Sequence, residues 1–165
     1  MVKVMYNNAS YWAASLKALF ENKIFIATVV SLCAAQTLKV IVYVVHNHKK
    51  KMRELIEILA WRTGGMPSSH AAVVSSLVTS VALAEGISNL FIFSFWFALV
   101  VLRDAMGVRR SAGLMAKALN DLGKQASEKT GIDFRLVKEI QGHTPLEVVV
   151  GCLLGVSIAV GLFLL

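Results

Sequence analysis

The sequence predicts an all-α protein built into a membrane. The expected form is a helical bundle of about four spans, with an interfacial N-terminal helix and an amphipathic helix at one end, in a single domain of residues 1–165. Three observations carry this. The composition is 56% hydrophobic with only 16% charged residues, and a mean hydropathy of +0.65 is high for a soluble domain. Apolar runs approaching the roughly 20 residues that a crossing needs recur along the chain. The basic residues behind the net charge of +7 gather in two segments between those runs. Such apolar content argues against disorder, and two cysteines cannot build a disulfide framework.

Before Ile24, the residues Tyr11, Trp12, Leu16, Leu19 and Phe20 recur at a spacing that suits an amphipathic helix lying in the interface. A secretory signal is disfavoured, because the next apolar run is too long and no A-x-A site follows it. Ile24 to Val45 is the first span, with Gln36 and Lys39 as its strongly polar members. His70 to Ala84 is shorter and rich in small residues, which suits a packed interior helix. Asn89 to Leu102 reads "NLFIFSFWFALVVL" and is the most lipid-like stretch; Leu146 to Leu165 is the last run. Cys33 and Cys152 fall inside spans and read as small buried residues. Met115, Leu119, Leu122 and Ala126 predict an amphipathic helix near Ser111 to Lys129. A shorter helix is predicted from Asp133 to Gln141, stopped by Gly142.

Four spans put the polar segments His46 to Ser69 and Arg103 to Pro145 on one side. Together they hold 13 basic residues, against Lys3, Lys17 and Lys23 on the other side. The positive-inside rule then makes the basic side cytoplasmic, with both termini outward. Topology accounts for the charge, so no nucleic acid is expected. The expected partners are the membrane and an anionic lipid or phosphate, and a homo-oligomer is left open.

Three strings can carry chemistry. In "WRTGGMPSSHAA", Trp61 to Ala72, two glycines and Pro67 shape a turn, and Ser68 or Ser69 can cap the following helix. A helix N-terminus is an anion site in waiting, and His70 lies there beside Arg62. The plain alternative is a capped membrane helix whose histidine faces the interface. In "GHTPLEVVVG", Gly142 to Gly151, His143 and Glu147 are one helical turn apart, so the carboxylate can hold one imidazole nitrogen and leave the other as nucleophile or base. Thr144, Pro145 and Glu147 equally spell a capping box, in which Glu147 only caps. In "RDAMGVRRSAG", Arg103 to Gly113, Arg109 and Arg110 can grip a phosphate in bidentate fashion, or simply form a basic belt; Asp104 can pair with either. Lys39 can snorkel to the interface, yet a charge inside a span is a functional suspect.

The topology brings all of these to one membrane face. Two histidines, a lysine and several arginines suggest a phosphate site. No acidic cluster offers itself to Mg²⁺, and His46 and His48 sit in a basic run that disfavours metal. Metal-free phosphoryl transfer through a histidine, with no cofactor, is the chemistry that fits.

In this order, "GGMPSSHAA", "DAMGVRRSAG" and "GHTPLEVVVG" resemble the divergent branch of the type 2 phosphatidic acid phosphatase superfamily, the acid phosphatase/vanadium-dependent haloperoxidase-related proteins. The resemblance runs from about Gln36 to Gly155. It implies an all-helical core and removal of phosphate from a lipid such as phosphatidic acid, phosphatidylglycerophosphate or a polyprenyl pyrophosphate. It further implies His143 as the nucleophile that becomes a phosphohistidine, Glu147 as the carboxylate that orients it, and His70 as the acid on the leaving group. Ser68 and Ser69 would belong to the phosphate loop, and Lys39 and Arg62 would be the first-motif cations. This sequence departs from the usual pattern at Ser69, where glycine is usual, at Glu147, where aspartate is usual, and at Val137, where an arginine is usual. Arg109 or Arg110 is expected to supply that charge. The expected function is therefore a membrane-embedded, metal-independent lipid phosphatase. The alternative is an inactive member that binds anionic lipid or a membrane partner.

Overall fold

The computed structural model describes residues 8–46, 65–139 and 142–165. The described residues form six helices and no strand: α1 (Asn8–Glu21), α2 (Lys23–His46), α3 (Ser69–Glu85), α4 (Asn89–Met106), α5 (Val108–Thr130) and α6 (Pro145–Leu164).

Three stretches, Lys23–Val45, Asn89–Thr130 and Pro145–Leu164, are long and apolar enough to cross a membrane; α3, at 17 residues, is apolar but shorter. The protein is an all-α membrane bundle. Its central helix is α3, which packs against α2, α4 and α6. Large apolar side chains mostly face outward, among them Phe93, Trp96 and Phe97 of α4 and Leu153 of α6. Small residues fill the interior: Ala27, Ala35, Ala71, Ala72 and Ala159 are wholly buried. This inversion is what a lipid solvent produces, since helices there gain by close packing and not by hiding grease from water.

Gly151 and Gly155 set the closest approach. A Cβ on Gly151 would overlap the Ser68 carbonyl, and one on Gly155 the Ala72 carbonyl and Ser75 Oγ. Ser75 Oγ also donates to the Cys152 carbonyl at 3.2 Å. The two helices therefore run side by side with both N-termini at one end of the bundle. The C-termini of α2 and α4 reach that same end, as the contacts of Lys39 and Ala105 described below require. At the opposite end Lys23 Nζ lies 5.6 Å from the centroid of the Phe163 ring.

The connections follow from local chemistry. Asn22 Oδ1 accepts the N–H groups of Ile24 and Phe25 and so separates α1 from α2. Gly86, at φ 66°, ends α3 in a conformation that L side chains avoid, and Ser88 Oγ caps α4 by accepting the Phe91 N–H. On α1 the residues Tyr11, Trp12, Leu16, Leu19 and Phe20 are exposed, as an interfacial helix requires.

One sequence expectation needs correction. The helix expected from Asp133 to Gln141 does not form over the described residues 131–139, which are irregular. Asn120 explains why. Its Oδ1 accepts the Val137 N–H at 2.8 Å and its Nδ2 donates to the Val137 carbonyl at 2.9 Å. Both backbone groups of Val137 are thus taken from any helix, and an isolated helix so short is marginal in any case. The Phe134 ring also packs against Gly123, where a Cβ would collide with it. The amphipathic helix expected near Ser111 to Lys129 forms as α5, and the face of it covered by protein is not the apolar stripe. Asn120 and Gly123 are buried, while Met115, Leu119 and Leu122 are exposed. The stripe is left to the surroundings, and the segment 131–139 covers the opposite side.

Candidate active site at one end of the bundle

Lys39 lies in the last part of α2 and is only 5% exposed. Its Nζ donates to Ser69 Oγ at 3.1 Å, which ties α2 to the first turn of α3. A buried ammonium is expensive in hydrocarbon and needs such a partner. Glu147 is close enough for its charge to act on Lys39 as well.

Ser68 is wholly buried. Its N–H donates to the Glu147 carbonyl at 3.0 Å, its carbonyl accepts the Ala72 N–H at 3.0 Å, and its Oγ caps α3 by accepting the Ala71 N–H at 3.4 Å. Ser68 therefore fastens the loop to α6. The first-turn N–H groups of Ser69 and His70 come next, at the positive end of the helix dipole. The His70 side chain is exposed.

His143 precedes α6 and is 3% exposed. Its N–H donates to the Ala105 carbonyl at the end of α4, at 3.1 Å, and its Nδ1 lies 3.1 Å from Glu147 Oε2. That same Oε2 accepts the Thr144 N–H at 3.0 Å, while Thr144 Oγ1 accepts the Glu147 N–H at 3.4 Å. The capping box is thus complete. Burial pushes the His143 imidazole below its ordinary value near 6.5; the hydrogen bond to Glu147 works against that fall, and Lys39 and Arg109 add to it.

The His70 and His143 rings are 6.4 Å apart, centroid to centroid, at an interplanar angle of 64°. Arg109 Nε donates to Asp104 Oδ2 at 2.6 Å, and the Arg109 charge reaches both imidazoles. Arg110 meets the site through its backbone: a Cβ on Gly142 would run into the Arg110 N and Cα. The structure thus brings together Lys39, Ser68, Ser69, His70, Asp104, Arg109, His143 and Glu147. Arg62 lies outside the described residues.

Three participants escaped the sequence reading. Ala105 anchors the His143 backbone through its carbonyl, which no side-chain motif can reveal. Gly142 was legible only as a helix stop, whereas its bare Cα is what lets Arg110 approach. Asn120, a polar residue near the middle of α5, fixes the chain that leads back to His143. An asparagine set opposite the apolar stripe was the available signal.

The divergent PAP2 family profile matches residues 20–158. The chain is also 36% identical, over 152 aligned residues covering 84% of this chain and 92% of the relative, to the uncharacterized membrane protein YuiD of Bacillus subtilis (strain 168). No solved structure matches it. With the profile spanning all the residues assembled here, from Lys39 to Glu147, the chain belongs to the divergent PAP2 family of membrane proteins.

Proposed function

We propose that this protein is a phosphatase embedded in the membrane, acting without a metal on a lipid phosphate of the phosphatidic acid, phosphatidylglycerophosphate or polyprenyl pyrophosphate class. The single observation that carries the reading is the pair of imidazoles 6.4 Å apart, one of them held by a carboxylate.

With Nδ1 engaged by Glu147, the free nitrogen of His143 is Nε2. In this reading Nε2 attacks phosphorus, and the bond to the leaving oxygen breaks as His70 gives that oxygen a proton. Water then attacks the phosphohistidine, passes a proton to His70 and releases inorganic phosphate. Lys39, the Ser69 hydroxyl, the first-turn N–H groups of α3 and Arg109 are the groups assigned to the non-bridging oxygens. Arg110 and Arg62 are assigned to the same basic rim, and Ser68 acts by holding the loop. The excess of basic residues on this side supports a cytoplasmic orientation.

The test is phosphate release from a panel of lipid phosphates by purified wild-type protein and by His143→Ala. Release that stops in the variant supports the nucleophile; undiminished release removes it. A binding-only member is favoured by one observation, that Arg109 Nε already pairs with Asp104 while Val137 stands where an arginine is usual. Saturable lipid-phosphate binding with no release at any pH would establish that alternative.

A further inference from the structure

α4 and α5 together run from Asn89 to Thr130, 42 residues interrupted at Gly107. At 1.5 Å per residue that is about 63 Å, twice the roughly 30 Å of a hydrocarbon core. The 18 residues of α4, about 27 Å, use up the crossing, and Arg103 and Asp104 mark its polar end. α5 therefore begins at the membrane boundary, on the side of the candidate site, joined to α4 through Gly107 at φ −98° and ψ −84°. Its side chains divide sharply. Val108, Met115, Leu119 and Leu122 fall on one face at helical spacing, and all are exposed. Among the described helices α5 packs only on α4. The segment 131–139 holds the face of Asn120 and Gly123, so the stripe lies open among the described residues. Roughly opposite the stripe, at about 3.6 residues per turn, are Arg110, Lys117 and Lys124, all exposed. None of the three forms an ion pair among the described residues.

We infer that α5 is a surface anchor: the chain turns at Gly107 and lays this helix along an anionic leaflet, with the apolar stripe in the upper acyl region and the lysines among the head groups. Three features select this occupant. The first residue of α5 is held at the membrane boundary, so hydrocarbon is within reach of Val108 and the residues that follow it on the stripe. An apolar stripe backed by a basic face is the pattern of helices that lie in an interface. The unpaired cations call for negative charge, which anionic phospholipids offer and a second copy of this chain, equally basic, does not. A helix standing straight out from α4 would instead keep the whole stripe in water. This lipid-binding surface is separate from the candidate phosphate site. It does not rest on the phosphatase reading, and it stands whether or not phosphate is released.

The experiment uses the full chain, carrying Cys33→Ala and Cys152→Ala, in vesicles of phosphatidylcholine with or without phosphatidylglycerol. The phosphatidylglycerol head group is anionic but a diester, unlike the monoester or pyrophosphate proposed for the site. A nitrobenzoxadiazole probe is attached at Leu119→Cys on the stripe or at Lys124→Cys opposite it. With phosphatidylglycerol present, the probe at 119 should be quenched by lipids brominated on the upper acyl chain and protected from aqueous acrylamide, and the probe at 124 should show the reverse. Acrylamide reaching both probes alike overturns the inference, since α5 then projects into water. A probe at 119 shielded from both quenchers overturns it too, and oxidative crosslinking of two Leu119→Cys chains would then name a second copy as the cover. Lys117→Gln tests the charge. It should lower the ratio of seated to unseated α5, read from bromolipid quenching at 119, about fivefold with phosphatidylglycerol and leave it unchanged in phosphatidylcholine alone. Seating that is equal in the two vesicles, or indifferent to Lys117→Gln, overturns the assignment to an anionic leaflet.

Discussion

Glu147 Oε2 lies 3.1 Å from His143 Nδ1 and 3.0 Å from the Thr144 backbone N–H. One carboxylate oxygen thus closes the helix cap and holds the imidazole. The two readings that the sequence left open for Glu147 are not rivals: the helix N-terminus fixes the carboxylate, and the carboxylate fixes the ring. A glutamate, longer than the aspartate usual in related proteins, reaches back over the turn because it sits on the helix that it caps.

If His143 and His70 divide the labour as proposed, their variants must differ in kind. His70→Ala should lower kcat by roughly 10²–10⁴ and recover much of it on a substrate whose leaving group needs no proton. His143→Ala should not recover with any leaving group. Steady-state rates on an alkyl and a nitrophenyl phosphate check this, and equal rescue of both variants would dismiss the assignment.

The lowered pKa of His143 has a definite sign. Burial favours the neutral ring, so the proposed nucleophile should stay unprotonated below pH 6.5. The acid limb of kcat/KM should therefore lie below 6.5 rather than at or above it. Stability follows the same direction. The unfolded chain takes up the proton first, so this contribution is complete above 6.5 and is lost as pH falls through the lowered folded value. A pH–rate profile together with thermal unfolding across the same range measures both.

Lys39→Met should separate stability from function. Removing a buried ammonium relieves a desolvation cost, so the unfolding temperature should hold or rise. Vanadate, which mimics pentavalent phosphorus, should inhibit the wild type competitively and the variant at least about tenfold more weakly. Vanadate inhibition unchanged in Lys39→Met would show that the lysine serves only the α2–α3 contact.

Gly155→Ala should wedge α3 away from α6, because the added methyl meets the Ala72 carbonyl and Ser75 Oγ. A cost of about 1–3 kcal/mol is expected for such overpacking. Gly161→Ala is the control, since nothing lies within 4 Å of its Cβ position. Unfolding in detergent by a denaturing co-solvent compares the two.

Much of this was legible in the chain, and the reasons are particular. Long apolar runs declare membrane helices, and "PSSHAA" and "GHTP" mark helix starts that carry histidines. What was not legible depends on contacts distant in sequence. "DFRLVKEIQ" has the composition of a helix, and only Asn120, many residues earlier, removes the hydrogen bonds that a helix needs. The apolar stripe of α5 shows that a face wants to leave water, but in a membrane protein it does not say whether lipid or protein receives it.

Asn120→Ala should therefore release the 131–139 segment. Loss of both bonds to Val137 and the one to Glu139 Oε1 should cost about 1–3 kcal/mol, read as faster amide exchange over 131–139. Because that segment leads to His143, kcat should fall while the α3–α6 contact keeps its protection. Exchange that stays slow would mean the clip is incidental.

The shortness of α3 has its own consequence. Its 17 residues rise about 25 Å, against about 30 Å for both the hydrocarbon core and the 20-residue α6. The hydrogen bond from the Ser68 N–H to the Glu147 carbonyl starts α3 level with the first turn of α6, so the shortfall falls on the histidine side. The start of α3 thus lies deeper along the bundle than the start of α6. If the ligand is a lipid phosphate as proposed, hydrophobic mismatch between α3 and its membrane becomes a setting on access: thin bilayers should present the head group to the site, and thick ones should hold it above reach.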